Sequence, residues 1–298
     1  NLEKQHFPVL LDELISIISP LYGGTFIDCT FGHGGYSKRI LSNKKNKVVA
    51  LDRDSETSIE AKKFIKKFGN RFRFENEKFS NIYKLNINTD DLKAIIFDLG
   101  YSISQINDHK KGLSFKSKGK LNMQLGKNSL SAHEVINKMS YENLNKIFKY
   151  FGNEHKSKDI AKNIINQRPK KIILTEDLVR IIDRVKKKHS KIHKSTKVFQ
   201  SLRILVNNEI SQLIFGLINS FKLLPVGSIL AVVTFHSLED KIVKYFFKYY
   251  SENKKGSRYL PETKKNKKIF KIINKKPIIP SKKEINLNPP SRSAKLRC

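Results

Sequence analysis

Residues 26 to 35 read Phe26-Ile27-Asp28-Cys29-Thr30-Phe31-Gly32-His33-Gly34-Gly35. An apolar run ends in an acid and breaks into a glycine-rich turn, and Tyr36 to Leu41 continue with helix-compatible residues. That order predicts a strand, a tight loop and a helix start, the local form of a nucleotide-type site in an α/β sheet. A missing Cβ lets the backbone turn sharply and lets a ligand approach closely. A second apolar run, Val48-Val49-Ala50-Leu51, ends at Asp52, 24 positions beyond Asp28. A second parallel strand would present a carboxylate to a ribose at about that point.

The dinucleotide fingerprint is G-x-G-x-x-G with a pyrophosphate on the helix N-terminus. Here the pattern is D-x-T-x-G-x-G-G, with the acid before the loop. An acid at the strand end disfavours a phosphate and suits a cationic or hydroxyl-bearing ligand. S-adenosylmethionine has an ammonium, a sulfonium and a ribose, and no phosphate. The plainer alternative is a left-handed turn that binds nothing; Asp52 in register favours the cofactor site.

Further apolar segments extend the pattern. His6 to Leu11 starts extended and turns helical, with Leu11, Leu14, Ile15 and Ile18 on one stripe. Strands are expected at 25–28, 47–51 and 72–75, a helix over 55–68, and a buried strand at 94–98 that ends in Asp98. Strands alternating with helices imply a parallel sheet. From about residue 106 the pattern turns helical. Ser131-Ala132-His133-Glu134 forms a capping box, and apolar stripes run over 144–151, 160–165 and 178–185. A long fourth stripe joins Phe199, Leu202, Val206, Ile210 and Leu213. The sheet resumes with residues 229–235, followed by His236-Ser237-Leu238-Glu239-Asp240 and a helix. Lys268 to Ile273 reads as strand and Pro289 to Arg297 as a closing edge strand. The expected architecture is therefore a discontinuous domain of residues 1–107 and 212–298 with a helical insertion, 108–211.

Composition narrows the class. The 298 residues carry a net charge of +32 and a pI of about 10.0, which points to a polyanion such as nucleic acid. Lys, Asn and Ile are over-used throughout, as an A/T-rich coding sequence would produce, so charge counts mainly where it clusters. It does so over Lys186 to Lys197 and Lys254 to Lys283. No apolar stretch approaches the ~20 residues of a membrane span. The start has no signal-peptide core, and two cysteines make no disulfide framework or metal spacing. A cytoplasmic protein without metal is expected.

Ligands of open α/β sheets bind outside the carboxyl ends of the strands. Asp28, Asp52 and Asp98 end strands there, and His236-Ser237 ends a fourth. After Asp98 come Gly100, Tyr101, Ser102, Ser104 and Gln105, with hydroxyls, an amide and an aromatic ring; the serines serve equally well as turn formers. An unpaired acid at a buried strand end is costly, which favours a functional Asp98. A hydrolase triad around His236-Ser237 is discounted, because no G-x-S-x-G elbow exists and Ser237 reads as a helix N-cap. His236 stays open as a substrate contact or proton relay, whereas His6 and His33 read as loop hydrogen-bonders.

Ordered segments along nearly the whole chain carry a resemblance. They are His6 to Glu13, Asp28 to Ser37, Leu51 to Asp54, Phe97 to Gln105, Gly112 to Phe115, Leu121 to Met123, His193 to Asn208, Phe235 to Lys241 and Asn288 to Arg297. Together they resemble the MraW (RsmH) family of bacterial small-subunit rRNA cytosine-N4 methyltransferases. The resemblance implies a class I S-adenosylmethionine-dependent methyltransferase fold, a Rossmann-like mostly parallel sheet with an inserted helical, RNA-recognising domain. It implies methylation of a cytosine N4 in the decoding centre of 16S rRNA within the small ribosomal subunit. Its cofactor contacts carry over to Gly34, Gly35, Tyr36, Asp52, Phe79, Asp98 and Gln105. Asp52 would hold the ribose and Phe79 the adenine. Where the family has His, Ser-Ser-Pro-Gln, Leu-Asp-Met and His-Pro, this chain has Tyr36, Ser102-Ile103-Ser104-Gln105, Leu121-Asn122-Met123 and His193-Lys194.

Cytosine N4 is a poor nucleophile, since its lone pair is delocalised into the ring. Asp98 is the expected catalytic residue, accepting from the amine, with His236 as the second candidate. The base must leave its stack. Tyr101 would stack on it, and Asn122, His193, Arg203 and Arg292 would lie on the substrate side. Two rivals remain: a non-catalytic RNA-binding ribosome assembly factor, disfavoured by Asp28, Gly34, Gly35 and Asp52, and a methyltransferase of DNA bases. Asp98-Leu99-Gly100-Tyr101 is unlike the Asp/Asn/Ser-Pro-Pro-Tyr/Phe run of amino-group DNA enzymes.

Overall fold

The computed structural model describes residues 8–101, 105–106, 108–126, 130–186, 192–251 and 269–298. His6, Ser102 to Ser104 and much of both lysine clusters lie outside the described residues. The chain divides into two compact units, one of residues 1–100 and 213–298 and one of residues 101–212.

The first unit is built on a six-stranded sheet of β1 (Gly24–Asp28), β2 (Asn46–Leu51), β3 (Phe72–Glu75), β4 (Leu92–Asp98), β5 (Ile229–Thr234) and β6 (Lys295–Arg297). Their order is β3-β2-β1-β4-β5-β6. The first five pair in parallel, and β6 runs antiparallel on β5. Successive strand residues point to opposite faces, and two cores result. Phe26, Val48, Ala50, Ala94, Ile96 and Val233 pack with residues of α1 (Leu11–Ile18), α2 (Gly35–Leu41) and α3 (Ser58–Phe68). Ile27, Val49, Leu51, Ile95, Phe97 and Val232 pack on the other face. Burial on both faces explains why β1, β2, β4 and β5 read as largely continuous apolar runs.

The second unit is helical: α4 (Ala132–Lys138), α5 (Tyr141–Tyr150), α6 (Ser157–Gln167), α7 (Thr175–Val185) and α8 (Thr196–Val206). Its core joins Val135, Leu144, Phe148, Ile160, Ile164, Leu178, Ile182 and Leu202. The expected capping box is present, with Glu134 N donating to Ser131 Oγ and Ser131 N to the Glu134 carboxylate. The long fourth stripe, however, is two helices. It breaks at Asn207-Asn208, where Asn208 has φ +52°, and α9 (Glu209–Leu223) follows. The Asn207 amide accepts from Leu125 N at 3.0 Å and donates to Met123 O at 2.8 Å. Those distant partners are invisible to helical periodicity.

Two strand expectations near the C-terminus need correction. Residues 269–273 form no strand; Ile269 and Phe270 N donate to Tyr250 O, and Ile273 N to Cys298 O. Pro289–Ser293 is a 3-10 turn and only Lys295–Arg297 pairs with the sheet. Pro289 and Pro290 have no N–H to give a ladder. The short β6 is held by charge instead. Arg297 Nε donates to Asp240 Oδ1 at 2.7 Å, and Lys295 Nζ to Oδ2 at 3.0 Å. Asp240 starts the helix α10 (Ser237–Ser251). Burial pushes its carboxyl up, but hydrogen bonds from Arg297 and Lys295 prevail and hold it below the usual range. Asp240→Ala strands Arg297 as a buried unpaired charge; we expect a loss of about 3–5 kcal/mol, read from the urea midpoint.

Candidate active site

The strand order reverses direction between β1 and β4. Chain order runs outward from β1 to β3 on one side and from β4 to β5 on the other. Such a switch point opens a crevice at the carboxyl ends of the strands. Asp28 ends β1 and Asp98 ends β4 there. The two ends are tied together, since Cys29 N donates to Ile96 O at 2.9 Å and Asp98 N to Thr30 Oγ1 at 2.7 Å.

Asp28 is buried and satisfied from within the loop. It accepts from Ser37 Oγ at 2.7 Å and from Thr30 N at 3.2 Å. Burial still raises its pKa, against these hydrogen bonds. Asp28 thereby shapes the glycine loop and adds negative charge beneath it. Asp52 accepts from Gly32 N at 2.8 Å on Oδ2 and from Asp54 N at 2.9 Å on Oδ1. Each oxygen keeps acceptor capacity for a ligand hydroxyl. Burial raises its pKa to about 6.

Asp98 is strongly perturbed as well. Burial lifts its pKa to about 7; the Gly100 N–H pulls it down, and the charges of Asp28 and Glu239 push it up. Its Oδ1 is buried and has no hydrogen-bond partner among the described residues. An orphaned acceptor of this kind fits a ligand that brings a donor or a positive charge.

The glycines have two distinct reasons. Gly34 has φ +73°, and a Cβ there would lie 2.5 Å from Phe64 and 2.7 Å from Phe31. A Cβ at Gly35 would lie 2.2 Å from Pro8. Both are therefore demanded by the protein's own packing, beyond any approach by a ligand. Tyr36 turns its ring into the core, where its hydroxyl donates to Val9 O. Only its backbone is left for a ligand at the start of α2.

Phe79 stands edge-on to Phe97 at 5.3 Å. Its segment is pinned by Asn219 Nδ2 donating to Ser80 O at 2.8 Å. A Cβ on Gly216 would come within 2.8 Å of the Phe79 ring, so the bare glycine makes room for it.

His236 differs from expectation. It, and not Ser237, caps α10. Its Nδ1 accepts from Glu239 N at 3.4 Å, and Glu239 Oε2 accepts from the N–H groups of Phe235 and His236. His236 Nε2 lies 3.0 Å from Glu239 Oε1. Close as it lies to the buried Glu239, His236 Nε2 makes no hydrogen bond among the described residues. Arg292 is exposed, in the turn before β6.

Gln105, Tyr101, Asn122, His193 and Arg203 belong to the helical unit. Arg203 grips Glu209 with two hydrogen bonds, 2.9 and 3.2 Å, and lies over the Tyr101 ring at 4.1 Å. The Tyr101 hydroxyl donates to the same Glu209. The stacking face and cation expected for substrate are therefore engaged with each other. Glu209 was not foreseen, because nothing in its local sequence marks it. His193 is exposed and stacks on Phe115 at 4.0 Å with rings 2° from parallel. Asn122 accepts on its main-chain carbonyl from Ala132 N at 2.8 Å, which ties it to the start of α4. No helix among the described residues is long and apolar enough to cross a membrane.

The raised acids make a pH prediction. Ordinary Asp titrates near 3.9, whereas Asp52 and Asp98 titrate at about 6 and about 7. Between about pH 4 and 7 the folded state binds more protons than the unfolded one. Stability of the ligand-free protein must then fall as pH rises through that window. Asp98→Asn removes its share, so the urea midpoint should decline less between pH 5 and 7.5 than in wild type; an unchanged decline would refute the raised Asp98.

Comparison with known proteins places the whole chain in one family. The sequence profile of the MraW methylase family matches residues 3–298. The chain is 42% identical over 300 residues to the ribosomal RNA small subunit methyltransferase H of Wolbachia pipientis, covering 98% of this chain and 97% of that one. The proteins of the same name from Ehrlichia canis and Bartonella bacilliformis are each 40% identical. They cover 98% and 100% of this chain, and 98% and 90% of their own lengths. With its whole length matched and its acids gathered at the switch point of a mostly parallel sheet, this chain belongs to the MraW methylase family.

Proposed function

We propose that this protein transfers a methyl group from S-adenosylmethionine to N4 of a cytosine in the decoding centre of 16S rRNA, in the cytoplasm. The observation that carries the reading is the buried Asp98 Oδ1, without a hydrogen-bond partner among the described residues, beside the Asp28 loop at the switch point. Family membership and the names of the relatives support the rRNA substrate. The donor set fits the cofactor, because acids raised by burial are stabilised by a ligand carrying positive charge and ribose hydroxyls and no phosphate.

When bound, the cofactor supplies an electrophilic methyl on a sulfonium. Asp52 holds the ribose hydroxyls through its remaining acceptor capacity. Gly34, Gly35 and the Tyr36 backbone line the loop, Phe79 lies against the adenine, and Gln105 completes the contacts. Asp98, ionised, accepts from the cytosine amine, draws its lone pair toward the methyl and takes up the released proton. A pKa near the working pH suits that task. His236 is the second choice, since its Nδ1 is taken by the Glu239 N–H and its Nε2 lies 3.0 Å from the Glu239 carboxylate. The helical insertion serves to recognise RNA. His193 and Arg292 are exposed for substrate, and Asn122 is the third polar contact to it. For Tyr101 and Arg203 the reading requires Glu209 to be exchanged for RNA.

The test is incubation with methyl-labelled S-adenosylmethionine and unmodified small ribosomal subunits, with naked DNA in parallel, then digestion to nucleosides and mass analysis. N4-methylcytidine from the subunit is expected. Asp98→Ala should lower kcat by about 10²- to 10⁴-fold, the usual worth of a positioned proton acceptor. Cofactor binding with label only in DNA would sink the rRNA assignment, and no cofactor binding would favour the assembly factor.

A further inference from the structure

The outer face of α10 has a composition that the fold does not require. The inner face is fully used. Val243 and Phe247 are buried in the sheet core, and Tyr250 stacks on Phe221 at 4.6 Å and meets Phe246 at 4.9 Å. These contacts fix which side of the helix turns outward. Both acids near its start point inward, Glu239 onto the amides of Phe235 and His236, and Asp240 onto Arg297 and Lys295.

Outside lie Lys241, Lys244, Tyr245, Lys248 and Tyr249, all exposed. Their spacing of i, i+3, i+4, i+7 and i+8 makes one continuous stripe. It has three cations and two phenol rings and no acid. Tyr245 is 70% exposed and Tyr249 42%. Their rings sit 6.2 Å apart with planes 29° from parallel. Lys241 and Lys244 have no ion-pair partner among the described residues. Coding bias accounts for lysines on a wet helix. It does not account for the large Tyr245 ring standing in water beside Tyr249, which itself meets Tyr250 edge-on at 5.1 Å and leaves its outer side exposed. The stripe begins at Lys241, five residues beyond His236, on the helix that leaves the carboxyl end of β5.

We propose that this stripe docks single-stranded RNA next to the nucleotide being methylated. Lys241, Lys244 and Lys248 neutralise phosphates, and Tyr245 and Tyr249 offer their faces to successive bases, the combination used by sequence-tolerant single-strand binders. This rests on the rRNA reading above and adds where the flanking strand runs. A splayed target cytosine leaves its neighbours unstacked, and a ring platform replaces the lost stacking.

The test uses the full chain and a fluorescein-labelled, mixed-sequence 12-nucleotide single-stranded RNA, read by anisotropy across a salt series. Tyr245→Ala with Tyr249→Ala should weaken binding about tenfold or more, while Tyr245→Phe with Tyr249→Phe stays within about twofold. Lys241→Gln with Lys244→Gln should reduce the slope of log K against log salt by about 1.4, at about 0.7 per phosphate. The KM for unmodified subunits should rise in the alanine pair with cofactor affinity and circular dichroism unchanged. Equal RNA affinity in the alanine pair and wild type overturns the proposal. So does an unchanged KM for subunits, or a loss of binding confined to phosphatidylserine vesicles. Stripe-dependent RNA binding by a wild type that methylates no RNA would support the stripe while defeating the methyltransferase reading.

Discussion

Negative charge held at the carboxyl ends of adjacent parallel strands is the constraint around which this protein is arranged. Asp28 and Asp98 end neighbouring strands, and Asp52 ends the next one over. Desolvation by burial raises the pKa of all three, against the hydrogen bonds each accepts, and the charge of Asp28 pushes Asp52 and Asp98 up further. Such a cluster costs stability when empty and rewards a ligand of opposite charge. The surrounding structure is a set of measures that keep it in place. Thr30, Ser37 and the Gly32 amide hold the carboxylates, while Phe31, Phe64 and Pro8 crowd the glycines so tightly that the loop has a single path.

A second polar system shapes the rim. His236 and Glu239 cap the helix after β5 by mutual hydrogen bonds, and the next residue, Asp240, anchors the last strand through Arg297 and Lys295. One short segment thus joins the site, a helix start and the closing edge of the sheet. The resemblance-bearing run Phe235 to Lys241 owes part of its character to these structural duties. The inward turn of both acids also leaves the outer helix face basic and aromatic.

The parallel sheet was legible in the chain, because strands buried on both faces must be continuous apolar runs, and the four that are end or begin at readable punctuation. The acids at the strand ends were legible for the same reason. What failed was local in appearance and tertiary in cause. Asn207 interrupts a perfect helical stripe because its amide serves Leu125 and Met123, far away in sequence. Residues 269–273 have strand-like side chains, but their N–H groups go to the end of a helix and to the chain terminus. Ser237 looked like a cap, yet the residue before it took that place. Glu209 carries no motif of its own, and only its partners Arg203 and Tyr101 reveal it; Glu239 lies in a distinctive run, but its capping role shows only in its hydrogen bonds.

The sequence by itself determined the α/β class, the glycine turn with its flanking acid, the family, and the helical character of the insertion. Periodicity, punctuation and ordered motifs are all local properties of a chain. Only the tertiary structure decided which oxygen of which acid is left without a partner, that the Tyr36 ring belongs to the core, and that Arg203 and Tyr101 engage Glu209. It also decided which face of the last long helix meets water. Each of these depends on what distant segments bring within about 3 Å, and on how much water they exclude.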